Sequence, residues 1–175
     1  MIYHGVFNPH RGLDELIDAM ELLQNTLLVL IGFGEHEGVL KDKVQTLRLE
    51  RKVVFLGPKN YDEILGLLVH ADLGIALEKT MSESFRWALP NKIFDYARMG
   101  LPFITLGNPA VKEVLEQFSI GHIISGLDKN ELAESIMRIL EELAITNPAI
   151  QQAQKDFLEN NNASKEWDLL LSILD

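Results

Sequence analysis

The run IYHGVFNPHRGLDELIDAMELLQNTLLVLI, Ile2 to Ile31, decides the fold. Its ends, IYHGVF (2–7) and LLVLI (27–31), are apolar runs of strand length without strict alternation, as expected of strands covered on both faces. Between them Leu13, Leu16, Ile17, Met20 and Leu23 recur at helical spacing and put one apolar stripe on a helix. Strand, helix and strand joined by a connection of this length predict parallel pairing through a right-handed crossover.

The same alternation continues outward. Strand-like runs follow at VVFL (53–56), DLGIAL (72–77), PFITL (102–106) and HIIS (122–125). Helical stripes appear at Val111, Val114, Leu115 and Phe118, then at Leu132, Ile136, Ile139, Leu140 and Leu143. Six strands alternating with helices predict an α/β fold: a doubly wound, Rossmann-like parallel sheet of about six strands with helices on both faces. After about residue 145 the strands stop, and TNPAIQQAQKDFLENNNASKEWDLLLSILD reads as two C-terminal helices split near ENNNAS.

Length and charge narrow the function classes. A chain of 175 residues fits one domain, 1–175. Its net charge of −10 opposes non-specific binding to nucleic acid or to anionic lipid, so neither is expected as a partner and any anionic ligand needs a local positive site. The absence of cysteine removes thiol catalysis and cysteine-metal sites, and it fits a cytoplasmic location. Met1 leads almost directly into the first strand, which reads as a piece cut from a longer protein.

In such a sheet ligands bind beyond the carboxyl ends of the strands, where loops enter helices. Three loops there carry candidates. After the first strand, Arg11 precedes a helix, and its guanidinium suits a phosphate, although a lone loop arginine is more often simply solvated. GFGEHEG, with Gly32 and Gly34, is a glycine-rich turn opening a helix; a tight structural turn explains it equally well. Its third glycine is one place late for a dinucleotide fingerprint, and VVFLG ends without the acidic residue that would hold a ribose.

The third loop is SESFRWALPNKIFDYARMGLPFI, Ser82 to Ile104. Pro90 suits the first helical position and Gly100 the end, which puts Asn91 and Lys92 in the first turn and Asp95 one turn on. A turn rises about 5.4 Å, comparable to the step from a pyrophosphate to its ribose. A nucleoside diphosphate fits this layout, phosphates at the helix mouth and Asp95 accepting from ribose hydroxyls. The plain alternative keeps Lys92 and Asp95 as surface residues, with Asp95 pairing with Arg98. The five histidines are scattered and read as structural or solvated, and no compact metal cluster is evident.

These residues also carry a family resemblance. ALPNKIFDYARMGLPFI resembles the P-N-K-hydrophobic-F-E-Y…G-x-P-hydrophobic-I segment of retaining GT-B glycosyltransferases, the large group 1 or family 4 type. YHGVFNPHRGLDELIDAM, LLVLIGFGE, VVFLG, ADLGIAL and WDLLLSIL resemble its other landmarks in order, over nearly the whole chain. The resemblance implies one half of a GT-B fold: the C-terminal, donor-binding domain of a hexosyltransferase, with the N-terminal acceptor domain absent and the isolated domain inactive.

It implies, further, that Arg11, Gly32, Gly34, Asn91 and Lys92 hold the donor diphosphate, Asp95 the ribose, and the loop at Gly57 and Pro58 the nucleobase. The substrate would be a nucleoside-diphosphate sugar, with no cofactor and no metal. Three departures stand out. Asp95 replaces the family glutamate and is one methylene shorter, Val6 stands where an arginine is frequent, and Trp87 falls where a sugar-contacting glutamate is frequent. Glu83 or Glu78 nearby would be the substitutes for that contact. Other classes compatible with the fold are a sugar-nucleotide epimerase, an NAD-dependent oxidoreductase and a non-catalytic binding module.

Overall fold

The structure is a computed structural model that describes residues 1–79, 89–118 and 121–143, with residues 117 and 118 described as backbone alone. The expected Glu83 and Trp87 site positions and the two helices expected after residue 145 lie outside these residues. In chain order the elements are β1 (Ile2–Val6), α1 (Leu13–Ala19), β2 (Leu28–Phe33), α2 (Glu37–Thr46), β3 (Val53–Gly57) and α3 (Tyr61–Leu68). Then follow β4 (Gly74–Ala76), α4 (Asn91–Arg98), β5 (Phe103–Leu106), α5 (Pro109–Phe118), β6 (His122–Ile124) and α6 over 129–143.

All five strand pairs are parallel, in the order β3-β2-β1-β4-β5-β6. This is the doubly wound arrangement, and its direction of winding reverses between β1 and β4. The predicted fold class is therefore the observed one.

The non-alternating strand runs have a direct cause. Successive residues of one strand enter two different cores: Tyr3, Ile75, Leu77 and Ile104 join one apolar cluster, while Ile2, Ala76 and Phe103 join the other. The first cluster is closed by α1, α2 and α6 through Leu13, Leu16, Ile17, Leu40, Val44, Leu132 and Ile136; the second by α3, α4 and α5 through Leu68, Ile93, Tyr96, Ala97, Val111 and Leu115. A strand apolar on both sides cannot alternate.

Two local devices fix the sheet's inner pair. Gly5 pairs with Gly32, both at left-handed φ (135° and 136°), and a Cβ on Gly32 would stand 1.9 Å from the Gly5 carbonyl oxygen. At Gly34 a Cβ would stand 2.3 Å from the Phe7 carbonyl oxygen. These glycines let the chain entering α2 lie directly against β1.

Helix α4 departs slightly from expectation. Pro90 is the N-cap, extended at φ −64° and ψ 123°, and Asn91 is the first helical residue. The helix closes as expected: Gly100 is left-handed at φ 64°, its amide bonds Ala97 O and the Leu101 amide bonds Tyr96 O, which is the Schellman pattern. Among the described residues no helix is long and apolar enough to cross a membrane.

Candidate functional site

Where the winding reverses, the carboxyl ends of β1, β4 and β5 part around a cavity of about 320 Å³. Its walls include His4 from β1, Arg11 from the loop before α1, Glu78 beyond β4, Thr105 from β5, and Asn91, Lys92 and Asp95 from α4. The first turn of α4 thus opens onto the cavity, adding unpaired amides and the positive end of the helix dipole.

The two key side chains of α4 are buried rather than solvated. Lys92 is 8% exposed and Asp95 6%, so the surface-residue alternative does not describe them. The Lys92 ammonium bonds to Glu78 Oε1 and lies 4.8 Å from the centre of the Tyr3 ring, a cation-π contact. Burial pulls the Lys92 pKa down, the Glu78 carboxylate opposes this most strongly, and Arg11 adds to the lowering. The Arg11 guanidinium meets the same Glu78 oxygen at 3.5 Å. One carboxylate oxygen therefore faces both cations.

Asp95 is held from the neighbouring helix. Tyr61, at the start of α3, donates to Asp95 Oδ1 at 2.7 Å. Burial raises the Asp95 pKa, while the Tyr61 hydroxyl, Arg98 and Lys92 work against that rise. The other oxygen, Oδ2, is 3.5 Å from His4 Nε2, a nitrogen that is buried without a hydrogen-bond partner. Asp95 thus has one oxygen anchored and one turned toward the cavity wall.

His4 stands edge-on to Tyr96, ring centres 5.4 Å apart. Burial and the Lys92 charge push its pKa down to about 4, so the imidazole is neutral near pH 7. A folded-state pKa below the ordinary 6.5 contributes stability that is complete above 6.5 and is lost as pH falls toward about 4. Between pH 7 and 4.5 this is worth roughly 2 kcal/mol. Urea melts of His4→Gln at the two pH values should show an acid loss smaller by about that amount than the parent's. An equal loss in both proteins would show that His4 titrates as it does in the unfolded chain.

The structure brings Arg11, Asn91, Lys92 and Asp95 together. Gly32, Gly34, Gly57 and Pro58 are not among the residues lining the cavity. Gly32 and Gly34 are packed on the β1 backbone, whereas Gly57 is left-handed at φ 68° with open space where its Cβ would be. His4, Tyr3 and Tyr61 belong to the site and were not singled out by sequence. A histidine inside the apolar IYHGVF run is the signal that could have found His4; Tyr61 sits 34 residues before Asp95 and carries no local signal. Among the described residues no group of three histidines or carboxylates could hold a metal ion.

A parallel sheet whose winding reverses at this point is the doubly wound class of α/β domain, in which ligands enter the crevice at the reversal. The sequence pattern of the family Glycosyl transferases group 1 matches residues 1–156, and the chain belongs to that family. It is similar to the chitobiosyldiphosphodolichol beta-mannosyltransferase of Candida albicans, 27% identical over 172 residues, covering 93% of this chain and 36% of that protein. The chain thus spans about a third of that relative's length.

Among solved structures, HepE of Anabaena in complex with UDP and glucose superposes with a TM-score of 0.78 at 20% identity, over 99% of this chain and 47% of that one. The C-terminal domain of LpcC, a glycosyl transferase group 1 family protein of Francisella tularensis, superposes with a TM-score of 0.70 at 16% identity, covering 91% of this chain and 84% of that one. The fold is that of one GT-B domain.

Proposed function

We propose that this chain is the donor-binding domain of a glycosyltransferase, which holds a nucleoside-diphosphate sugar while the sugar passes to an acceptor on a second, N-terminal domain. The observation that carries the reading is the joint position of Arg11, Lys92 and the α4 N-terminus, with Asp95 one turn deeper in the same cavity. Cations and helix amides stabilise the charge that develops on a leaving diphosphate, and no metal need take part. Asp95 Oδ2 accepts from the ribose. The presence of UDP in the HepE complex supports a nucleotide ligand here as well. The transferred sugar would be a hexose, and the chain would transfer none alone, because an acceptor site requires the second domain.

Calorimetric titration with UDP, GDP, dTDP, ADP and NAD tests the reading. One or more diphosphates should bind, and NAD should not exceed them; preference for NAD would sink the proposal in favour of a dinucleotide enzyme. Asp95→Ala should weaken the diphosphate that binds by about 10- to 100-fold, the worth of a hydrogen bond to a charged group, without lowering the content of folded protein. Unchanged affinity would remove Asp95 from the ribose role.

A further inference from the structure

Glu78 lies two residues beyond β4, on the ligand side of the sheet, with its side chain 14% exposed. Its Oε1 takes the Lys92 ammonium and lies 3.5 Å from Arg11 Nη1. Its Oε2 is buried and has no hydrogen-bond partner. A carboxylate satisfied on one oxygen alone is poorly compensated for the water it has lost. This group is therefore a negative charge held at the focus of the site's two cations, without the set of donors that would make it a permanent fixture. A phosphate oxygen offers the same cations the same charge, and it adds paired acceptors that match the arginine fork.

We propose that Glu78 is an internal counter-anion, standing where a ligand phosphate goes and displaced from Lys92 and Arg11 when that phosphate binds. The proposal rests on the cavity being the donor diphosphate site. It gives the site a threshold. A singly charged anion merely replaces the carboxylate, whereas a diphosphate brings charge in excess of it, so diphosphates are favoured over monoanions. Until then Lys92 is held in place, although buried, by this built-in counter-ion.

The test is the affinity of the 175-residue chain for inorganic pyrophosphate at pH 7, compared with that of Glu78→Gln. Removing the competing charge should tighten binding by about 10-fold. Two controls separate displacement from a general charge effect. Glu15→Gln, which removes the carboxylate paired with Lys79 near the same rim, should gain less than about 3-fold. The double variant Glu78→Gln with Lys92→Met should lose the gain.

Unchanged or weaker binding by Glu78→Gln, an equal gain in Glu15→Gln, or no binding of pyrophosphate by any of these proteins overturns the proposal. Should Glu78→Gln fail to fold, Glu78→Asp withdraws the same charge by one methylene and should also bind more tightly than the parent. Equal or weaker binding there overturns it as well. Failure of the donor reading appears elsewhere, as nucleoside diphosphates binding no better than pyrophosphate.

Discussion

Lys92→Met should lower the affinity for nucleoside diphosphates by about 100-fold and destabilise the fold by about 3 kcal/mol, and the two losses should part company in a double variant. Lys92 is the cation at the α4 mouth, so under the proposed donor reading methionine would remove a charge-assisted bond to phosphate while keeping most of the length and the apolar stem. The stability loss has a different origin. Without the ammonium, Glu78 keeps one buried oxygen facing Arg11 alone, and the other has no partner already. Breaking one member of a buried pair costs more than removing both.

Adding Glu78→Gln to Lys92→Met should therefore restore most of the stability while leaving the affinity low. Denaturant melts give the coupling through a double-mutant cycle, and calorimetry gives the binding loss. A double variant as unstable as Lys92→Met alone would show that the ion pair is not what holds Lys92 in place. Parent-like affinity in Lys92→Met would show that the phosphates lie elsewhere.

Gly32→Ala should cost at least about 4 kcal/mol, enough to lower the melting temperature by roughly 10 °C or to leave the chain unfolded. The new Cβ would meet the Gly5 carbonyl oxygen at 1.9 Å, and φ at 136° is closed to an L side chain. The obstacle is backbone in the middle of a parallel ladder, so relaxation means breaking the β1–β2 register. Gly57→Ala is the contrast: φ is 68° but nothing lies near, and the cost should be about 1 kcal/mol. Thermal melts compare the two directly. If Gly32→Ala melts like Gly57→Ala, the close approach of the two strands is not maintained in solution. Any loss of ligand binding in Gly32→Ala should follow the loss of fold, since Gly32 does not line the cavity.

The strands were legible because burial on both faces leaves a mark, a short and largely apolar run without strict alternation, at most of the strands in the described sheet. The helices were legible from stripes such as Leu13, Leu16 and Ile17, which do enter the core. Lys92 and Asp95 could be placed because Pro90 and Gly100 bracket one short helix, so their geometry is local. What could not be read is whatever depends on strand order. Alternation says that β1 and β4 exist, but not that they are neighbours, and it is that adjacency which brings His4 and Glu78 to α4. Tyr61 reaches Asp95 across two helices for the same reason. Gly32 shows a further limit: a glycine needed for closeness to a strand looks, in sequence, like one needed for closeness to a ligand.

The seating of α4 bears on the thermodynamics of binding. Tyr96 is fully buried, its hydroxyl donates 2.9 Å to Ile75 O, and its ring lies 2.8 Å from where a Cβ at Gly74 would be. The helix that presents Lys92 and Asp95 is thus bolted to β4, one of the sheet's two central strands, from its inner side, and its pose does not wait on a ligand. Little chain entropy remains to be lost when the cavity fills, so association should show a small heat-capacity change and a rate governed by encounter rather than by rearrangement of this helix.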